Sequence, residues 1–337
     1  MSNAQFVRDS VLPPGWIDLG IGEARLIRRS LERTLGVDFL LRSTDGELDY
    51  QPSQGCPELL SEIELLHKAP CVVTTGAKQA VYAALVVAKQ RGCRSVGMMN
   101  PAWPPLVHAA QTIGLDVVIG SDVTNMWCDC VLLVSPNNPD GRSFSPFELA
   151  RLAERMKAEG KFLIHDGAYA CAPYVNLGGV HPIVGDIQVH SVSKRFGLSG
   201  LRVGWAVARD EEVVAQLQDV IETMTAGVCG TAQGAVAKLL KRLRANPALA
   251  ELFMEDARGS LELSRAAARE FNPEVLRVDG ELAGAFAWCL KGPKYDPSKL
   301  RIKVVDGAAY GHADRVRVNL VGDVEDVREL AKRSHEI

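Results

Sequence analysis

From residue 70 onward the chain alternates short, nearly continuous apolar runs with segments whose apolar residues recur every three or four positions. "CVVTT" from Cys71, "SVGMM" from Ser95, "LDVVIG" from Leu115, "CVLLV" from Cys130, "KFLIH" from Lys161 and "DIQVH" from Asp186 read as strands. Between them "AKQAVYAALVVAKQRG", "LVHAAQTIG" and "SPFELARLAERMKAEG" read as helices. The last has legible ends: Ser145 is placed to cap, Pro146 takes the first helical position, Glu148 completes a capping box and Gly160 stops it. Strands without polar alternation are buried on both faces, which predicts a mostly parallel sheet covered by helices.

Beyond Asp210 the pattern changes. "DEEVVAQLQDVIETM" and "PALAELFMEDARGSLELSRAAAREF" read as long helices, followed by short strands in "GAFAWCL" and "RVRVNLV" and a final helix. The expected fold is therefore α/β: a large domain over residues 35–234, and a smaller α+β domain built from 1–34 and 235–337. A chain of 337 residues, 47% hydrophobic, has material for two cores. Its net charge of -3 gives no electrostatic reason to expect nucleic acid or a membrane surface as partner. The basic run "KLLKRLR" from Lys238 interleaves leucines at helical spacing and reads as the solvated face of a helix. Eight scattered cysteines without a CxxC or metal-ligand spacing, and no apolar signal core or bilayer-length run, point to a reduced, cytoplasmic protein without a metal.

In an open parallel sheet, ligands bind beyond the carboxyl ends of the strands. The residues just after each predicted strand are chemically rich: Gly76-Ala77-Lys78 opening a helix, then "NPAWPP", "SPNNPDG", "DGAY" and "SVSK". The helix start offers backbone N–H groups to an anion, and Ser191 and Arg202 add a hydroxyl and a guanidinium. Trp103 can lie against an aromatic ring, and Asp166 can hold a proton on a ring nitrogen. Asn138 and Tyr169 can hydrogen-bond a phenolate oxygen, and Lys194 can form a Schiff base with an aldehyde. A phosphate, a planar ring, a basic ring nitrogen, a phenolate and an aldehyde together describe pyridoxal 5′-phosphate (PLP), for which a protein supplies orientation and electrostatic tuning. His165, His190, Tyr82 and Trp205 read as core residues, and the backbone of Lys78 is expected to matter more than its amine.

In these motifs the sequence resembles the fold-type I PLP enzymes, specifically the class I/II aminotransferases of the aspartate and aromatic type. "SVSKRFGLSGLRVGW" is similar to the family's lysine signature, with its eight-residue step from Lys194 to Arg202. "NPAWPP", "SPNNPDG", "DGAY" and "VTTGAKQAVYAAL" match the ring-stacking, phenolate-binding, ring-nitrogen and phosphate-cup motifs. The resemblance runs from about Ile17 to Leu320. It implies that Tyr50 in "LDYQPSQGCPEL" reaches the phosphate of a neighbouring subunit's cofactor, and hence a homodimer with shared sites. It also implies that Gly22 lines the substrate pocket beside Asn138, and that Arg317 in "RVRVNL" clamps the substrate carboxylate. Arg315 competes for that role, since alternation puts both arginines on one strand face.

The implied activity is transfer of an amino group from an α-amino acid to a 2-oxo acid, with Lys194, Asp166 and Tyr169 as catalytic residues. Decarboxylation, elimination and cyclisation share the same site, so a decarboxylase, lyase or cyclase is the alternative. A non-enzymatic PLP-sensing domain is disfavoured, because no basic helix-turn-helix accompanies the motifs.

Overall fold

The computed structural model of the protein describes residues 12–20, 22–36, 45–171, 174, 183–280 and 282–337. In chain order its elements are β1 (Ile17–Asp18), α1 (Arg25–Leu35), α2 (Pro57–His67), β2 (Cys71–Thr74), α3 (Ala77–Gln90), β3 (Ser95–Met99), α4 (Pro104–Ile113) and β4 (Asp116–Gly120). Next come β5 (Cys130–Val134), α5 (Pro146–Ala158), β6 (Phe162–Asp166), β7 (Ile187–Ser191), α6 (Val192–Arg195), β8 (Gly204–Val207), α7 (Glu211–Thr225), α8 (Gly230–Ala245) and α9 (Pro247–Arg269). The last stretch holds β9 (Leu276–Val278), β10 (Phe286–Lys291), α10 (Pro297–Leu300), β11 (Ile302–Lys303), β12 (Val305–Asp306), β13 (Arg315–Asn319) and α11 (Val324–His335).

Seven strands form the main sheet in the order β2-β8-β7-β6-β5-β3-β4. All its pairings are parallel except those of β8, which runs antiparallel to both β2 and β7. The apolar strand runs thus become a sheet buried on both faces, as Val72, Val96, Leu132, Ile164, Val189 and Ala206 on one side and Val73, Val131, Leu163 and Trp205 on the other all reach 1% exposure or less. β8 is the strand that the sequence pattern did not single out, because "GWAV" is short and hidden within the lysine motif.

Local chemistry sets the helix ends. At α5 the Ser145 hydroxyl accepts the Glu148 N–H while the Glu148 carboxylate accepts the Ser145 N–H, the reciprocal capping box expected from sequence. Gly160 lies just beyond, with φ +68°, a left-handed conformation that costs glycine little.

The second sheet, of order β12-β13-β10-β9, is antiparallel throughout, and a two-stranded ribbon pairs β1 with β11. One continuous apolar cluster joins them to the main sheet: Leu19, Ile27 and Leu31 pack with Trp205, Phe196, Phe253, Phe286 and Val316. The segment around β1 and α1 is thereby seated between the last strands and the lysine loop, and this brings Gly20 and Gly22 to the rim of the main sheet. The boundary expected at residues 234 and 235 falls within α8, a single helix that packs on both α2 and α9.

Candidate active site

At the carboxyl ends of β5, β6 and β7 a cavity of about 350 Å3 opens between the two sheets. Ala77, Lys78, Trp103, Asn138, Asp166, Tyr169, Ser191, Lys194, Arg202, Gly22 and Arg317 all line it. Gly76 stands directly behind Arg202, and Tyr50 lies away from this chain's cavity, 95% exposed. A larger, open cleft of about 1060 Å3 sits at the amino ends of β3, β5 and β6, beside Asp129, Trp127 and Lys161. None of the expected groups reaches it, and it lies at the wrong end of a parallel sheet for a ligand site.

The floor of the cavity is Asp166, the last residue of β6. Its carboxylate is buried and accepts one hydrogen bond, from the Ala168 N–H at 3.0 Å, and makes no ion pair among the described residues. Burial pushes its pKa up to about 6, and the Ala168 bond offsets this only in part. The Tyr169 hydroxyl is also pushed up by burial, so it is a phenol and a proton donor at neutral pH. The ring of Tyr169 stands edge-on to Phe286, with centroids 5.7 Å apart.

Lys194 belongs to the one-turn helix α6, whose start is fixed by the Ser191 hydroxyl accepting the Ser193 N–H at 3.1 Å. Its Nζ lies 5.7 Å from the centre of the Tyr169 ring and donates to the Gly22 carbonyl. Gly22 is tightly enclosed: a Cβ would come within 3.2 Å of the Phe286 ring and 3.6 Å of Lys194 Nζ.

At one end of the cavity Arg202 turns back against the start of α3. Its backbone is left-handed, φ +53°, unusual for a residue with a side chain. From there Nη1 donates to the Ser199 carbonyl and Nη2 to the Thr75 carbonyl, both at 2.9 Å. The guanidinium therefore stands beside the first N–H groups of α3, and a fixed cation meets a helix N-terminus where an anion fits. Lys78 adds its amine as well as its backbone: Nζ lies 4.9 Å above the centre of the Trp103 ring, inside the same cavity.

At the other end is Arg317, 3% exposed, on β13. Nη1 donates to Asn138 Oδ1 at 2.8 Å and to the Tyr310 hydroxyl at 3.1 Å, and Nη2 donates to the Gly20 carbonyl at 2.6 Å. The guanidinium lies 4.2 Å over the Phe286 ring, and its buried Nε has no hydrogen-bond partner among the described residues. Arg315, two residues away, is engaged elsewhere. It pairs with Asp279 at 2.5 Å, lies against Trp288 and lines a separate cleft. The histidines fall where the alternation of the strands puts them: His165 and His190 are buried, and His190 stacks on Trp205 at 5.7 Å.

Residues 14–333 match the model of the family described as aminotransferase class I and II. The chain belongs to the class I and II aminotransferases. Its cofactor is PLP. Among relatives, it is 35% identical over 130 residues to a threonine-phosphate decarboxylase of Sinorhizobium sp, covering 37% of this chain and 39% of that protein. The chain thus spans about two fifths of the length of that relative. An aspartate aminotransferase of Thermococcus kodakarensis is 26% identical over 338 residues, covering 93% of this chain and 86% of the relative. The fold matches the aspartate aminotransferase of Thermus thermophilus solved with maleate, with a TM-score of 0.76 at 20% identity over 96% of this chain and 92% of that one.

The residues present suit the family's cofactor. Asp166 is a buried carboxylate that lacks a cationic partner among the described residues, and a protonated ring nitrogen would supply one. Gly76 has φ +95°, and a Cβ there would fall 2.7 Å from Arg202 Nη2, so glycine is the residue that lets the guanidinium stand in this position without strain.

Several lining residues were not foreseen from sequence: Gly20, Ala168, Phe286, Lys303 and Val305, with Tyr310 behind Arg317. Phe286 sits in a strand that the pattern predicts, two residues from Trp288, but nothing local says that this strand face meets the cavity. Among the described residues, no helix is long and apolar enough to cross a membrane.

Proposed function

We propose that this chain is a PLP-dependent aminotransferase that moves an amino group from an α-amino acid to a 2-oxo acid. The observation that carries this is one cavity with a lysine amine at its centre, a buried carboxylate at its floor and a guanidinium at each end. When bound, the cofactor supplies an electron sink for charge that develops at the substrate Cα.

The protein's residues divide the remaining work. Arg202, Ser191 and the first N–H groups of α3 hold the phosphate, and Trp103 covers the ring. Asp166 keeps the ring nitrogen protonated. Its raised affinity for a proton, held where water is excluded, favours a tight charge-assisted hydrogen bond there. Tyr169 and Asn138 donate to the ring oxygen. Arg317 binds the substrate carboxylate through its two parallel N–H groups. It is preferred to Arg315 because it alone of the two lines the cavity. Lys194 moves a proton at the substrate Cα. Its amine lies between the Gly22 carbonyl and the Tyr169 ring, inside the cavity, which suits a proton-transfer group.

The functional unit is a cytoplasmic homodimer. Tyr50, 95% exposed in the single chain, suits a residue that completes the phosphate site of a partner subunit. A second reading is a decarboxylase acting through the same residues, favoured by the local 35% identity to a threonine-phosphate decarboxylase.

The test is a panel of amino acids incubated with the holoenzyme, with and without a 2-oxo acid acceptor. Formation of a new 2-oxo acid that requires the acceptor supports transamination. Release of carbon dioxide without an acceptor supports the second reading. Neither product from any donor, or full turnover by Lys194→Ala, overturns both.

A further inference from the structure

The cavity's two recognition tasks, holding the cofactor ring oxygen and holding the substrate carboxylate, fall to Asn138 and Arg317. The two side chains touch each other, and a third residue touches both. Tyr310 accepts a hydrogen bond from Arg317 Nη1 at 3.1 Å and donates to Asn138 Oδ1 at 3.4 Å. Asn138 Oδ1 therefore receives two donors, Arg317 and Tyr310. An amide oxygen saturated in this way leaves only the NH2 group to face the cavity, so the amide cannot turn over without losing both bonds.

Tyr310 is itself held firmly. It is 6% exposed and stands edge-on to Trp288, with centroids 5.5 Å apart. It ends a short 3-10 turn, Gly307–Tyr310, whose first residue has no space for a side chain: a Cβ on Gly307 would lie 2.2 Å from the His312 carbonyl. Asp306 caps this turn by accepting the Ala308 N–H. Burial raises the affinity of the Tyr310 hydroxyl for its proton although Arg317 acts in the other direction. The group is a phenol at neutral pH, able to accept from one neighbour and donate to the other.

We infer that Tyr310 is a positioning residue that locks the Asn138 amide with its NH2 toward the cofactor ring oxygen and holds Arg317 for the substrate carboxylate, coupling the two tasks. The inference rests on the proposed function. It predicts that an acid–base property of the bound cofactor depends on a side chain that does not line the cavity with the others. A donor at the ring oxygen draws charge from it and favours loss of the proton that oxygen shares, so removing the donor raises the pH at which that proton leaves.

The experiment compares wild type, Tyr310→Phe, Asn138→Ala and the double variant, all loaded with PLP. Two quantities are read: the pH midpoint of the visible cofactor band, and the KM against kcat for the amino donor. Tyr310→Phe keeps the ring against Trp288, and thermal unfolding checks this; Tyr310→Leu is the second variant if the first misfolds. The expected result is a midpoint raised by about one pH unit and a KM raised on the order of tenfold for Tyr310→Phe, with no further midpoint shift when it is added to Asn138→Ala. A midpoint that stays at the wild-type value, or shifts of the two variants that simply add, overturns the inference. A wild type without a visible band, or without turnover, instead sinks the proposed function on which it rests.

Discussion

Gly76 lies directly behind Arg202, whose Nη2 donates to the carbonyl of the preceding residue, Thr75, and the space between them does not take a methyl group without a shift of the guanidinium. A Cβ on Gly76 would stand 2.7 Å from Nη2 of Arg202, and the backbone there has φ +95°. Gly76→Ala is expected to strain the turn by about 1–2 kcal/mol and to push the guanidinium off the helix start. PLP affinity, followed by fluorescence titration of the cofactor-free protein, should fall about tenfold or more. Gly160→Ala is the control: φ is also positive, +68°, but nothing lies within 4 Å of the added Cβ. It should lower the melting temperature and leave PLP affinity alone.

The acid sensitivity of the cofactor-free protein should carry the signature of Asp166. Its folded pKa, about 6, lies above the usual 3.8. Between these values the folded state holds a proton that the unfolded state has released, so stability falls as pH rises through this window and stays low above it. Asp166→Asn removes that loss. The cofactor-free variant should be more stable than wild type at pH 7 by up to about 3 kcal/mol, and the difference should vanish near pH 3. Urea unfolding at a series of pH values measures it. With PLP bound the order at neutral pH should invert, because the carboxylate then has a cationic partner.

Arg317 and Arg315 share a strand face, and their contacts separate them. Arg317→Ala removes a buried guanidinium that holds Asn138, Tyr310 and the Gly20 carbonyl. Its kcat/KM should drop about a hundredfold, on the order of 3 kcal/mol, through loss of a charge-assisted carboxylate contact. Arg315 pairs with Asp279, whose side chain is 46% exposed. Arg315→Ala should change kcat/KM by less than about threefold, since Arg315 does not line the cavity and its half-exposed ion pair contributes little even to stability. Equal losses in the two variants would refute the assignment of the clamp.

Shared sites have a direct test in subunit mixing. Tyr50→Ala and Lys194→Ala should each be inactive or weak. Unfolding and refolding them together should restore activity, because a hybrid dimer has one site with an intact lysine and an intact partner tyrosine. Light scattering should give twice the 36.5 kDa of one chain. A fully active monomer, or no gain on mixing, removes the shared-site proposal.

Much of the candidate site was legible along the chain because most of the proposed cofactor contacts lie in short segments just after a strand, Arg202 and Tyr50 being the exceptions. Strand ends converge in a parallel sheet whatever the details of packing. Reading the residues after each apolar run therefore collects Gly76, Trp103, Asn138, Asp166, Tyr169, Ser191 and Lys194 onto one rim. The capping box of α5 was equally visible, since Ser145 and Glu148 need only local geometry.

Tertiary structure supplied most of the other wall of the cavity, where only Arg317 was expected from the sequence. Phe286, Lys303, Val305 and Arg317 arrive there from the second sheet and its connections, with Tyr310 behind Arg317, and no local pattern states which of its strand faces meets the rim. Alternation put Arg315 and Arg317 on one face and could go no further. Their separation comes from where β13 ends against Asn138 and Gly20, residues 179 and 297 positions away in sequence. Chemistry confined to a single βα turn is written in the sequence, whereas a contact between distant segments is set by how the two sheets pack.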